Sequence, residues 1–249
     1  MTVENVISAF ALPSGSLVNQ RIPKKLLVEN GGVTAADRRR LTDGIAEVTW
    51  SAVLKPETAG VPAYRDDHRD YLEISVVTAA LRPGGSPVRI HELVHRAIPY
   101  PVVLVTEQDS ALSLSLAHKR HALNEPGKTV LDGDPESVTL TGAPFVSELL
   151  SAVALSGQSR AHLLALYQSW LDLLTAFQAA RLTGSFSKEP TSARSETRRA
   201  ALRECVRIES EITRLTAEAS REKQLPKRVE LNLRIQKLRA NLNETKGLL

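Results

Sequence analysis

The chain of 249 residues has a formal net charge of +4, and its 42% of hydrophobic residues is ordinary for a globular protein with one core domain and an appendage. No run of about 18 apolar residues predicts a membrane-spanning helix, and the first residues lack the basic flank and apolar stretch of a signal peptide. The single cysteine, Cys205, excludes an internal disulfide, so a cytoplasmic location fits best, with Cys205 as a buried apolar residue.

The first part of the chain predicts a mixture of strands and helices. The apolar run 6–12 predicts a short strand, and Thr34 is a good N-cap for a helix over residues 35–54. Residues 71–81 then predict a strand that is buried on both faces. Further elements follow in chain order: a short helix over 88–98, a buried strand over 101–106, an alternating strand with one polar face over 111–117, and short strands at 129–131 and 137–140.

From residue 145 onward the pattern changes to helices. Two helices are predicted over 146–155 and 159–182, followed by a polar linker over 185–195. Apolar residues then recur at steps of three and four, which predicts a hairpin of two coiled-coil-like helices broken at Leu225-Pro226. The residues of this seam are Ala201, Cys205, Ile208, Ile212, Leu215 and Ala219, and then Leu231, Ile235, Leu238 and Leu242.

These elements predict an α+β protein with an N-terminal mixed sheet and flanking helices, followed by a helical segment and a C-terminal coiled-coil-like helical hairpin. We place the α+β core at residues 1–144, a helical segment that packs on it at 145–184, and a basic helical hairpin at 185–249.

The positive charge of the chain is concentrated in the hairpin. From Lys188 onward there are 15 lysine and arginine residues against 9 acidic ones, whereas residues 1–187 carry a net charge of −2. Basic helices suit phosphate backbones or acidic protein surfaces. The alternative is that the interleaved arginines and glutamates pair with each other on a solvated helix face. The sequence leaves both hypotheses open.

The string His91-Glu92-Leu93-Val94-His95 matches the zinc hydrolase signature H-E-x-x-H. Histidines four residues apart on a helix can share a zinc ion, and the glutamate can activate its water. The context favours another interpretation, because the helix is expected to end before Pro99 and the third ligand would have to be Glu107 or His118. The alternative is a surface helix face with two histidines, and we expect no metal, no cofactor and no catalytic residues.

A basic cluster follows the alternating strand, at His118-Lys119-Arg120-His121. Its side chains would suit contacts with phosphate groups. The alternative is a solvated strand end.

Five segments occur in an order that resembles the bacterial domain-of-unknown-function 4391 family over nearly the whole chain. One departure is Leu131-Asp132-Gly133-Asp134-Pro135, which stands where the family has a strand containing aromatic residues. The segments are Ile22-Pro23-Lys24, Glu47-Val48-Thr49-Trp50 with Leu54-Lys55-Pro56-Glu57-Thr58, Ala97-Ile98-Pro99-Tyr100-Pro101, Ala117-His118-Lys119-Arg120, and the stretch from Glu222 to Asn232.

The resemblance implies a bacterial protein whose genes lie beside DNA methyltransferases and helicases of restriction or phage-defence loci. We therefore expect a non-catalytic, DNA-associated accessory subunit, with such an enzyme or DNA as its partner and no membrane contact. A zinc hydrolase that uses His91, Glu92 and His95, and a protein that self-associates into a homodimer through the hairpin, remain the alternatives. The residues expected to contact nucleic acid or partner are Lys119, Arg120, Arg221, Lys223, Lys227, Arg228, Asn232 and Arg234.

Overall fold

The computed structural model of the protein describes residues 1–125, 127–188 and 192–249. The chain divides into two units, Met1–Leu174 and Thr175–Leu249. The first unit contains a mixed sheet with helices, and the second is helical, which confirms the predicted α+β fold class. No described helix is long and apolar enough to cross a membrane.

The described helices and strands have the following bounds. The helices are α1 (Val3–Ala9), α2 (Lys24–Gly31), α3 (Ala35–Gly44), α4 (Pro56–Ala59), α5 (Pro87–Ala97), α6 (Val146–Ala152), α7 (Leu163–Thr183), α8 (Ser192–Arg221) and α9 (Leu225–Lys246). The strands are β1 (Leu17–Arg21), β2 (Ile45–Leu54), β3 (Tyr64–Arg65), β4 (Asp70–Tyr71), β5 (Ile74–Leu81), β6 (Val102–Gln108), β7 (Ala111–Leu116), β8 (Lys119–His121), β9 (Thr129–Leu131) and β10 (Glu136–Thr139).

The main sheet of the described chain has six strands in the order β1-β2-β5-β6-β7-β10. Strands β5 and β6 are parallel, and every other neighbouring pair is antiparallel. A parallel pair needs a crossover connection, and α5 supplies it. Two short hairpins, β3-β4 and β8-β9, stand outside this sheet.

The segment 35–54 corrects the prediction of a single helix. The N-cap is confirmed, since the Thr34 hydroxyl accepts a hydrogen bond from the Asp37 backbone N–H at 3.1 Å. The helix, however, ends at Gly44, and β2 pairs with β1 on one side and β5 on the other. The register of β2 shifts twice, between Ile45 and Glu47 and between Trp50 and Ala52. These irregularities turn the alternation of a strand into apolar steps of three and four, which imitate a helix.

The apolar run near the N-terminus was also predicted wrongly. Residues 3–9 form α1, because the Thr2 hydroxyl accepts from the Asn5 N–H at 3.3 Å while the Asn5 side chain accepts from the Thr2 N–H at 2.9 Å. This reciprocal cap starts a helix whose Val6 is buried. The remaining predicted elements, from the strand at 71–81 to the two helices of the hairpin, are confirmed with shifts of a few residues at their ends.

One face of the sheet packs on α2, α3 and α5. A bidentate ion pair joins two of these helices, with the Arg89 guanidinium 2.8 and 3.0 Å from the buried Asp37 carboxylate. These hydrogen bonds from Arg89 lower the pKa of Asp37 to about 2. Helices α2 and α5 approach so closely that a Cβ at Gly31 would lie 2.6 Å from the Leu93 carbonyl oxygen. The core on this face includes Leu27, Leu41, Ile90, Leu93 and Val94 from the helices and Val48, Val77 and Leu104 from the strands.

Two buried aromatic residues of α7 bind the first unit together. The Trp170 indole N–H donates to the Val153 carbonyl at 2.9 Å, and its ring meets Phe10 edge-on at a centroid distance of 5.3 Å. The Tyr167 hydroxyl donates to the Val102 carbonyl at 2.7 Å and accepts from the Ala117 N–H at 2.8 Å. Tyr167 thereby joins the start of β6 to the end of β7.

Candidate functional site

The hairpin of α8 and α9 is held by an apolar seam. Leu215, Ala219 and Ile235 are buried together, with Ile212, Leu231 and Leu238 packed around them. These residues belong to the seam predicted from the sequence. Residues 222–224 connect the helices, and the Glu222 side chain accepts from the Gln224 N–H at 2.7 Å, which orders the turn. A helix of 30 residues such as α8 is about 45 Å long.

Four of the predicted contact residues surround this turn: Arg221, Lys223, Lys227 and Arg228. We call residues 221–228 the hairpin tip. All four cations are exposed, and in the described part of the chain none of their side chains forms an ion pair or hydrogen bond. Glu222 is the single carboxylate among these eight residues. The tip therefore has a net charge of +3, and its four cations form no ion pair among the described residues.

The body of the hairpin behaves differently. Arg207 binds Glu204 at 2.7 Å, Arg214 binds Glu211 at 3.0 Å, and Lys246 lies 3.3 Å from Glu209. These pairs fit the alternative hypothesis of arginines and glutamates that neutralise each other. Pairing in the body is frequent but not complete, since Arg203, Lys237 and Arg239 have no ion-pair partner among the described residues, whereas at the tip none of the four cations is paired.

The two remaining hairpin residues of the prediction lie just beyond the tip. Arg234 binds Glu211 of the facing helix at 3.0 Å. The hydrogen bond from Arg214 and the nearby charges of Arg214 and Arg234 lower the pKa of Glu211. Asn232 is exposed. Of these two residues, Asn232 is the one whose side chain is open to a ligand.

Lys119 does not lie at the surface, where a nucleic-acid contact would require it. Its side chain is buried, and the ammonium donates to the backbone carbonyls of Ile98, at 2.7 Å, and His95. Burial lowers the pKa of Lys119 to about 7. The neighbouring Arg120 is partly exposed and shares Asp132 with Arg69. Lys119 is therefore a structural residue that holds the end of α5.

The two histidines of the H-E-x-x-H string lie on the buried face of α5, which corrects the expectation of a surface helix face. His91 Nε2 lies 2.8 Å from the Thr106 hydroxyl, and its Nδ1 lies 3.1 Å from that of Ser137. His95 Nε2 lies 3.0 Å from the Ser115 hydroxyl, which accepts from Ser137 at 2.8 Å. Burial lowers the pKa of His91 to about 4 and lowers the pKa of His95 well below its usual value, so both rings are neutral at physiological pH.

The other residues of the zinc hypothesis also bind other protein side chains. Glu92 forms ion pairs with Arg89 at 2.5 Å and Arg96 at 2.7 Å. His118, one of the two proposed third ligands, lies 2.5 Å from the Tyr71 hydroxyl and 2.8 Å from Gln168 Oε1. Within the ranges that the structure describes, no three His, Cys, Asp or Glu residues form a group that could hold a metal. Hydrogen bonding inside the fold accounts for these residues.

Sequence reasoning missed the buried hydroxyl network around the histidines. Its partners come from β6, β7 and β10, which are 15 to 46 residues away in the chain. The polar face predicted for β7 was a usable signal, since Ser115 belongs to it. At Ser115 that face meets His95 of α5 instead of solvent, and Ser115 is fully buried.

The hairpin tip and the buried network both lie within the range of one family match. A protein-family model described as a domain of unknown function, DUF4391, matches residues 10–242. No curated protein and no solved structure matches the chain. The family description names no activity, so a function has to be argued from the geometry.

Proposed function

This chain belongs to the DUF4391 family, and from that premise we propose that it is a non-catalytic accessory subunit that binds the phosphate backbone of DNA through the hairpin tip. The supporting observation is the group of four exposed, unpaired cations at the tip. The proposal includes the expected setting, a restriction or phage-defence system of the bacterial cytoplasm with a helicase or DNA methyltransferase as partner enzyme.

The position of two of these cations argues for a ligand. Lys227 and Arg228 lie in the first turn of α9, which contains no acidic residue. The positive end of a helix dipole favours carboxylates at that place and disfavours cations. Helix stability therefore does not explain them, whereas a phosphate group would be attracted by both the side chains and the helix end. The tip is also narrow, two helices wide, which suits contact with a groove edge or a single backbone.

The test is the salt dependence of DNA binding. Fluorescence anisotropy with a labelled duplex is measured between low and moderate salt for the wild type and for the variant Arg221→Gln/Lys223→Gln/Lys227→Gln. Three lost phosphate contacts should reduce the slope of log K against log salt by about 2.7, because each contact contributes about 0.9. Binding at moderate salt should fall by about tenfold or more.

A matched control removes the same charge from paired positions. Arg207→Gln/Arg214→Gln/Lys246→Gln also lowers the net charge by three, but its cations already bind glutamates. We expect it to keep the wild-type slope, with far-UV circular dichroism confirming that both variants are folded. Equal losses in the two variants would show a general effect of net charge and would contradict a site at the tip, as would an absence of DNA binding by the wild type at low salt.

A further inference from the structure

Helix α9 exposes a row of apolar side chains that its partner helix does not cover. Leu225, Val229 and Leu233 are 62%, 49% and 55% exposed. They are spaced four residues apart and form one ridge, which we call the outer stripe. The seam that binds α8 uses another face, with Leu231, Ile235 and Leu238. Three large apolar residues on one ridge are more than the isolated exposed residue that any protein surface carries.

Cations border the outer stripe on both sides, and on the side of Lys237 the exposed Glu230 lies at a similar angle. At about 100° per residue, Arg228 and Arg239 lie within about 60° of Leu225 on one side, and Lys237 lies about 40° beyond Leu233 on the other. All three cations are exposed, and within the described ranges they have no ion-pair partner. The stripe and its border thus combine apolar area with positive charge along one helix face.

We propose that the outer stripe is the docking site for an amphipathic helix of a partner protein, one that carries acidic residues beside its apolar row. An apolar ridge beside two arginines is complementary to such a helix, since the leucines pack while the acidic row meets Arg228 and Arg239. This inference rests on the proposed accessory role, because it names the chemistry of the partner. It does not rest on DNA contact, for which Arg221, Lys223 and Lys227 remain free when the partner engages Arg228.

A second copy of the chain is a poorer occupant for electrostatic reasons. In a symmetric contact centred on Val229, residues 221–228 of one copy face residues 230–237 of the other. Arg228 then faces Glu230 of the other copy, but Lys237 faces Arg221, and Arg239 lies beyond the start of the facing α9 at Leu225. A second copy would therefore pair only Arg228, whereas an acidic row can meet both Arg228 and Arg239, so an acidic partner is favoured.

The test uses the full chain and two labelled peptides in fluorescence anisotropy. Each peptide has about 20 residues, long enough to form a helix, with leucines every fourth position and either glutamates or lysines along one flank. We expect the glutamate peptide to bind about tenfold more tightly than the lysine peptide. Val229→Asp should weaken binding of the glutamate peptide by about tenfold or more. Arg228→Glu/Arg239→Glu should reverse the preference between the peptides.

Val206→Asp is the matched control, because Val206 is also an exposed valine, at 62%, and lies on α8. It should leave peptide binding unchanged. The proposal is overturned if both aspartate variants behave alike, if the two peptides bind equally, or if sedimentation shows a dimer of the wild type that Val229→Asp abolishes. Since Val229→Asp keeps the cations used for DNA, its salt slope should stay at the wild-type value, so failure of docking and failure of DNA binding are distinguishable.

Discussion

Replacing Lys119 by methionine is expected to lower the free energy of unfolding by about 3 kcal/mol at pH 8. Methionine has a similar length and no donor, so the carbonyls of His95 and Ile98 lose their partner inside the protein. Each buried acceptor left unsatisfied costs about 1–3 kcal/mol. Because the pKa of Lys119 is lowered to about 7, the amine is mostly neutral at pH 8 and has two N–H groups for the two carbonyls.

Urea denaturation followed by circular dichroism measures this effect. The control is Lys55→Met, since the Lys55 side chain is 55% exposed and lies 3.7 Å from Glu73. A surface pair of this kind contributes about 0–1 kcal/mol, so the control should change little. A Lys119→Met variant as stable as the control would show that the buried amine does not hold the end of α5.

The same lysine predicts how stability depends on alkaline pH. The pKa of Lys119 is about 7 in the folded protein, against 10.5 for the free side chain. Between these values the unfolded chain binds a proton that the folded protein lacks, so the free energy of unfolding rises with pH. The free energy of unfolding of the wild type should therefore rise between pH 7 and 10. The Lys119→Met variant should lack this rise. Equal slopes for the two proteins would contradict the shifted pKa.

Acidification from pH 6.5 to pH 4 is expected to remove about 3 kcal/mol of stability through His91 alone. Its pKa is about 4 in the folded protein and 6.5 in the free side chain, and one unit corresponds to about 1.4 kcal/mol. In this window the unfolded chain binds the proton and the folded protein does not. The free energy of unfolding therefore decreases as the pH decreases. His95, whose pKa is also lowered by burial and by the charges of Lys119 and His91, acts in the same direction.

The variant His91→Gln separates this effect from the titration of other groups. Glutamine reaches the hydroxyls of Thr106 and Ser137 but does not titrate, so the slope between pH 6.5 and 4 should become shallower. The control is His68→Gln, because His68 is exposed. This variant should keep the wild-type slope. Urea denaturation at several pH values gives both slopes. If His91→Gln keeps the wild-type slope, the lowered pKa of His91 is contradicted.

Local patterns were sufficient for much of the fold. The seam of the hairpin was readable because its apolar residues meet within two neighbouring helices, and most strands of the sheet were readable from alternation and turn residues. Strand β2 was not, because its register shifts with β5 imitate helical spacing. The N-terminal helix was missed because its reciprocal cap between Thr2 and Asn5 uses asparagine in place of the usual glutamate or glutamine.

The candidate site also has some features that the sequence shows and others that only the tertiary structure shows. The sequence alone determined that positive charge concentrates in a C-terminal helical hairpin and that a turn at Leu225-Pro226 carries several cations. Only the tertiary structure decided which cations remain free. Arg234 and Glu211 are 23 residues apart, yet they meet at 3.0 Å, and Lys119 lies among basic neighbours in the chain while its ammonium is buried. The physical reason is that ion pairing and burial depend on distances in space, which residues distant in the chain set when they pack together.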